Sequence, residues 1–308
     1  MALLAQHLTE HPVAPLRFLP RQFFQRRSQL RVVIRPRFVT VAAAADRQQL
    51  AGTAFAQTPM VENGTLEARP LTGALDRELD ALVTRATDPM WVGYAVATNP
   101  RGGDNGCWSS RDGFVRRVGP VKLEGADTVY VLYRLADHRV DRIQFSSSEC
   151  PLDAGGLTVR WLTGVSAAGS LDWLTRFVTG DSGRRLQNQA VVAIALHADP
   201  LALDRLLSLA RTGKDARVRG DALFWVAQRA GTKAMDAVSN AIDNDPDTEV
   251  KKKAVFALSQ MPKDEGVPKM IDVARNNRNP EVRRQAMFWL GQSGDPRALT
   301  FFEDILQR

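Results

Sequence analysis

Four histidines and two cysteines are the residues of this chain with the most chemistry to offer, and their spacing limits its use. A zinc site needs several His, Cys or carboxylate ligands converging at short spacings. His7 and His11 fall in an arginine-rich beginning, His138 in an expected hairpin turn and His197 at a helix end, so none has a ligand-spaced companion. GGDNG (102–106) has one acid and no phosphate-loop lysine, which favours a turn over a cradle for an anion or calcium. No catalytic residue, metal site or cofactor is expected.

Two other sets remain. Cys107 and Cys150 are the only cysteines, 43 residues apart, which suits one structural disulfide in an oxidising compartment. Closing such a loop contributes about 4 kcal/mol if unstrained; the alternative is two unrelated buried thiols. Arg219, Lys251 and Arg283 are cations at a constant spacing of 32 residues. They could place three even contacts against an acidic partner segment, or they could pair within the chain, with acids such as Asp215 and Asp247.

The constant spacing belongs to a longer pattern. VRGDALFWVAQ (218–228), VKKKAVFALSQ (250–260) and VRRQAMFWLGQ (282–292) are copies of one segment, and LQNQAVVAIAL (186–196) keeps its apolar positions. Counting each valine as zero, the apolar residues at zero, four, seven and eight (Val218, Ala222, Trp225, Val226 and their counterparts) form one helical stripe, expected to be the core. Phe224, Phe256 and Phe288 at position six flank it and are expected to pack against the neighbouring repeat, the alternative being an exposed aromatic ladder for a ligand. Leu223, Val255 and Met287 lie on the other flank. A second helix follows in each unit, in KAMDAVSNAI (233–242), GVPKMIDVAR (266–275) and PRALTFFEDIL (296–306). Asp199-Pro200, Asp245-Pro246, Asn279-Pro280 and Asp295-Pro296 read as caps with proline in the first turn. A helix hairpin cannot bury its apolar face alone, so copies must stack.

The pattern Asp/Asn-Pro-x-x-Val-Arg-x-x-Ala-x-x-x-Leu, best matched by DARVRGDALFWVAQ and NPEVRRQAMFWLGQ, resembles the bacterial HEAT-like repeat. The resemblance spans about four copies over 184–308 and implies architecture, not chemistry. SSSECPLDAGGLTVRWLTGV (146–165), with Cys150, Asp153, Gly155 and Gly156, is similar to a segment of exported bacterial HEAT-repeat proteins of unassigned function; this wider resemblance covers 90–308 and brings no reaction with it. HEAT-type hydroxylases carry iron on His-Glu dipeptides, of which the chain has none. TGDSGRR (179–185) is similar to the nucleophile string of trypsin-like proteases, but Arg184 replaces the third glycine and no Ala-Ala-His-Cys element occurs. Asp181 and Ser182 are therefore expected to cap the first repeat helix.

Ahead of the repeats, LDRELDALVTRA (75–86) has the spacing of a short amphipathic helix within a linker region, 57–87. MWVGYAVAT (90–98), DTVYVLYRLADHRVDRIQFSS (127–147) and LTVRWLTGV (157–165) read as strands, the middle one a hairpin turning near Ala136-Asp137-His138. Residues 88–165 thus form a β-rich module. SLDWLTRFV (170–178), capped by Ser170, opens a helical part, 166–308. The expected class is α+β with a dominant α part: a small β-rich module followed by a HEAT-like solenoid.

Net charge is +7, but residues 1–57 hold eight arginines against Glu10 and Asp46, leaving about +1 for the rest. An array so nearly neutral is a poor phosphate-backbone binder, so nucleic acid is not the expected partner. The basic start, FVTVAAAA (38–45) and AFAQ (54–57) suggest an export leader, 1–56, cut after Ala56, although DRQQ (46–49) interrupts its apolar segment; a basic tail is the alternative. The expectation is an exported, periplasmic or extracellular protein without a transmembrane span in its mature chain. Its expected role is non-catalytic: scaffolding, through the array, of an unidentified protein or peptide. The alternative is a lyase or chaperone-like protein holding a bilin-type chromophore, as resemblance to other HEAT-like proteins would allow.

Overall fold

The computed structural model describes residues 58–98, 107–109, 113–115, 127–230 and 234–307. The expected leader (1–56) and the GGDNG loop lie outside them, as does the side chain of Cys107.

Two short strands, β1 (Val61–Glu62) and β2 (Thr65–Pro70), precede helix α1 (Leu75–Arg85), which buries Leu75, Leu79 and Leu82 on one stripe. The sheet strands follow: β3 (Met90–Ala97), β4 (Cys107–Ser109), β5 (Gly113–Val115), β6 (Thr128–Ala136), β7 (Arg139–Ser147), β8 (Leu152–Asp153) and β9 (Thr158–Thr163). Among the described residues seven strands form one sheet in the order β2-β9-β3-β6-β7-β4-β5, and β1 pairs with β8 beside it. β2, β9 and β3 run parallel; β3, β6 and β7 are antiparallel.

Alternation sorts the side chains of the central strands onto two covered faces. Val92, Tyr94 and Val96 of β3 join Val129, Val131 and Tyr133 of β6 in the core shared with the helices. Ala95, Tyr130, Leu132 and Trp161 pack on the opposite face, the Tyr130 ring edge-on to Trp161 at 4.9 Å. Burial on both sides explains why β3 and β6 read as near-continuous apolar runs. The β6–β7 turn falls at the expected place, Asp137 and His138 both adopting positive φ (50° and 58°), the handedness a two-residue hairpin requires.

Three local expectations are corrected. Residues 65–70, read as linker, are an edge strand whose backbone pairs with β9 while its polar side chains stay in water. Helix α2 (Ala167–Thr179) begins earlier than expected: Ser166 is its cap, accepting from Gly169 N at 3.2 Å, and Ser170 lies inside the helix, fully buried. Gly183, without a side-chain bond, stands at the cap of α3 (Arg184–Leu196), where Asp181 and Ser182 were expected to act.

From α3 onward eight helices alternate among the described residues: α4 (Pro200–Thr212), α5 (Ala216–Ala230), α6 (Met235–Asn244), α7 (Thr248–Ser259), α8 (Lys263–Asn276), α9 (Pro280–Ser293) and α10 (Pro296–Leu306) complete the run. Helices α3, α5, α7 and α9 start at 184, 216, 248 and 280, so the repeat is 32 residues of structure as well as of sequence. These four form one layer, each packed on the next, and the even-numbered helices form the other. Asp199, Asn279 and Asp295 cap their helices with proline at the first position, as the sequence implies. Asp245-Pro246 departs from this. The cap of α7 is Asp247, accepting from Glu249 N and Val250 N, while Asp245 closes α6.

One continuous core runs from Leu75 in α1 to Phe301 in α10, so sheet and array are built as one body. The stripe at zero, four and eight is buried in α5, α7 and α9. Position five is core as well, through Leu223 and Val255, whereas at position seven only Ala257 is buried. Trp225 and Trp289, expected in the core, are half-buried, because rings too large for the interlayer space reach to the open side of the odd-helix layer.

Candidate functional site

The odd-helix layer carries a cleft of about 300 Å³ built by α3, α5 and α7. Its floor is apolar: Val191 and Val192 from α3, Phe224 and Trp225 from α5, Phe256 from α7. Its rim is polar, with Asn188, Asp221 and Lys253. The 32-residue frame puts all of these but Val191 together, since residues at positions two, three, six and seven of successive helices face the same way; Val191, at position five, closes the floor from the core side. Gly220 completes the wall: a Cβ there would stand 2.3 Å from Lys253 Cδ, so glycine lets the lysine chain lie flat across α5 and reach Asp221 at 2.6 Å.

The aromatic residues form a continuous series. Phe224 and Phe256 stack in parallel planes at 5.7 Å, Trp225 stands edge-on to Phe224 at 5.2 Å, and Trp289 continues from Phe256 at 4.9 Å to Phe288 at 5.0 Å. Packing between repeats and presentation to solvent, alternatives from the sequence, are combined here: the rings touch across repeats, yet none of these five is fully buried. Such rings offer an apolar body at low entropic cost, and the amides and charges at the rim can orient what they hold.

The cation ladder is engaged within the array. Arg219 forms a two-pronged pair with Asp245, Nε to Oδ2 at 2.8 Å and Nη2 to Oδ1 at 2.9 Å, and its Nη1 donates to Gly213 O. Lys251 donates to Asp243 O in the last turn of α6, and Arg283 to Asn277 O and Arg278 O in the turn leading into its own helix. The late carbonyls of a helix lack intrahelical donors, and these cations supply them. Of the two arrangements the sequence left open for these cations, bonding within the chain is the one seen: they hold the inter-helix turns, Arg219 most fully, its side chain only 11 % exposed.

His197, expected at a helix end, stands there as the C-terminal cap of α3 and is fully buried, in a line of hydrogen bonds through Ser170, Tyr94 and Tyr133. Its direction is determined. Nδ1 faces Ala193 O at 2.8 Å and must donate, so Nε2 accepts from Ser170 Oγ at 2.9 Å. Ser170 then accepts from Tyr94 at 2.8 Å, and Tyr94 from Tyr133 at 2.7 Å. Burial lowers His197 to about 4 and pushes Tyr94 up to about 12, so the line is neutral at ordinary pH. Beside it Thr98 donates to Leu196 O, Ala198 N bonds Ala97 O, and Arg229 bonds the carbonyls of Ala195 and His197. This cluster joins β3 to the α3–α4 turn. A buried polar line with every partner matched fixes how the two parts meet, and its burial leaves no approach for a substrate to Ser170.

The Cys150-x-x-Asp153-x-Gly155-Gly156 element is a turn. Asp153 Oδ1 accepts from Gly155 N at 2.8 Å, and both glycines hold positive φ (61° and 82°), which only glycine adopts without cost. Cys150 is buried; its expected pairing with Cys107 lies outside the described residues. Among the described residues no three His, Cys, Asp or Glu side chains gather as a metal would need, and no helix is long and apolar enough to cross a membrane.

Residues 235–308, α6 to α10, match the family model for HEAT repeats, so this stretch is a HEAT-repeat region. HEAT repeats commonly mediate protein binding. The hairpins upstream share the same spacing outside the matched range. No curated protein shows significant similarity to the chain.

Proposed function

We propose that the chain is a non-catalytic scaffold that binds a partner protein through its array, taking an apolar side chain of an extended partner segment into the cleft of Phe224, Trp225 and Phe256. The observation that carries this reading is the cleft itself: aromatic surface left half-open beside the buried stripe of α5 and α7. Asn188 and the Asp221–Lys253 pair at its rim can bond the partner's backbone. The near-neutral charge beyond residue 57 favours a protein partner over nucleic acid.

The bilin-binding alternative fits less well. A cleft of about 300 Å³ stands at the bottom of the ~300–1,000 Å³ range of small-ligand sites, room for one or two side chains rather than a four-ring chromophore. A bilin titration that changes the chromophore's spectrum would reverse that preference.

The scaffold acts in the bacterial cell envelope in this reading, exported by the arginine-rich start and braced by a Cys107–Cys150 bond. Support comes from the charge asymmetry and from the use of only two cysteines. A photo-crosslinking residue at position 256, compared with one at position 201 on α4, tests the site. Adducts with a single envelope protein from 256 and not from 201 support it; equal labelling from both sinks it.

A further inference from the structure

The two layers of the array differ in charge. Helices α3, α5, α7 and α9 carry ten Lys or Arg and three Asp or Glu, a net of +7, whereas α4, α6, α8 and α10 carry six and eight, a net of −2. The turns that open the odd helices hold Asp181, Lys214, Asp215, Asp245, Asp247 and Arg278, a net of −2, and leave that side positive. The near-neutral total thus hides a basic layer, and this layer holds the cleft. Four of its ten cations, Arg219, Arg229, Lys251 and Arg283, are engaged with backbone carbonyls. The other six are Arg184, Arg185, Arg217, Lys252, Lys253 and Arg284. Each stands three or four residues before a residue of the cleft or of the aromatic series, one turn nearer the helix start on the same face. Phe224 stacks on Phe256 across the repeat, so equivalent positions lie level and the six form a cationic row beside the rings. Arg184 and Arg185 are exposed and have no partner among the described residues. Arg284, 73 % exposed, meets Glu281 at 3.2 Å. Arg217 pairs with Asp215, Lys252 with Glu249 and Lys253 with Asp221, all partly exposed pairs of the kind that hold weakly.

We propose that the segment received by the cleft is acidic, with one apolar side chain among the rings and flanking Asp or Glu residues on the cationic row. This rests on the reading of the cleft as a protein-binding site and adds the charge of the partner. Neighbouring helix axes lie ~8–10 Å apart and an extended chain advances ~3.3 Å per residue. Acids about three residues to either side of the apolar one therefore reach the cations of the adjoining helices. Opposite charge selects such a partner and speeds its approach. Residues 1–57 of the chain itself, with eight arginines against two acids, have the wrong sign for the row.

The test selects random displayed peptides on the immobilised full chain and on Phe256→Ser, a neutral change at the cleft floor. Peptides retained by wild type and lost on Phe256→Ser are cleft binders, and Asp and Glu are expected to outnumber Lys and Arg in their flanks. The strongest of them should bind wild type, by fluorescence anisotropy, with an affinity that falls as salt rises. Arg184→Glu, Arg185→Glu and Arg284→Glu together should weaken it at least ~10-fold. The melting curve should be unchanged, since all three side chains are exposed and acids suit the start of a helix. Cleft binders with neutral or basic flanks, or an affinity untouched by the triple variant, overturn the proposal and leave the cleft reading standing. Displacement of the peptide at equal concentration by single-stranded DNA, or by a peptide of residues 1–57, overturns it too. If no peptide depends on Phe256, the cleft reading itself fails and takes the proposal with it. Arg184→Glu with Arg185→Glu repeats the comparison should the triple variant melt early.

Discussion

Arg219 and Asp245 meet in a two-pronged ion pair at 2.8 and 2.9 Å, with side chains 11 % and 7 % exposed, tying the start of α5 to the turn that leads into α7. Burial alone would raise the Asp245 carboxyl, but the bonds from Arg219 and from Asp247 N, with the charges of Arg219 and Lys251, together outweigh it and hold it below the usual range. Removing one partner strands the other out of water. Asp245→Ala is expected to cost ~3–5 kcal/mol in denaturant unfolding, whereas Lys251→Ala, which loses a bond to one carbonyl, should cost ~0.5–1.5 kcal/mol. Equal losses would mean that the pair is solvated.

Stability should fall with acid through His197. Burial depresses its pKa to about 4 from 6.5, so the unfolded chain takes up a proton that the folded chain refuses. The folded state keeps its full advantage above pH 6.5 and loses it as pH falls towards about 4, in all about 3 kcal/mol. Urea unfolding of wild type and His197→Asn across that interval checks it. The variant should be less stable at neutral pH and show a flatter decline; parallel curves would place the proton elsewhere.

Core and cleft should respond differently to truncation. Leu258, fully buried at position eight of α7, is expected to lose ~2–5 kcal/mol as Leu258→Ala. Phe256→Ala opens onto the cleft rather than leaving a sealed void, and should cost less than half as much by thermal melting. A larger loss at Phe256 than at Leu258 would show the ring to be core.

Cys107 and Cys150 should be joined in protein taken from the envelope. Mass mapping without reductant is expected to find the cross-linked peptides, and reduction should lower stability by about 4 kcal/mol, the value for a loop of this length. Finding both thiols free would remove the bond and weaken the case for export.

The array was legible because each helix repeats a stripe at one period, and period is what a sequence displays most openly. Val218, Val250 and Val282 mark the same place in three helices, and all three are buried. Less visible was which large residues the interlayer space admits: Leu223 fits within it, while Trp225, two residues on, does not and lines the cleft. The edge strand Thr65–Pro70 could not be read from apolar pattern, since its pairing is by backbone alone. His197 escaped for a different reason. Its partners Ser170, Tyr94 and Tyr133 stand 27 or more residues away, and only the fold brings them together. In the cleft, the phenylalanine series was apparent from spacing, but Asn188, Asp221 and Lys253 carry different residue types at their repeat positions and gave no signal.

The central claim, that the aromatic cleft receives a partner, is tested most directly by cross-linked capture from an envelope fraction with wild type and Phe256→Asp side by side. Phe256 is half-buried at the cleft floor, so the carboxylate can reach water and the fold should survive, which a melting curve verifies. Wild type is expected to capture a discrete partner, reduced at least ~10-fold by the variant at unchanged fold. Capture of the same partner in the same amount by a folded Phe256→Asp would contradict it.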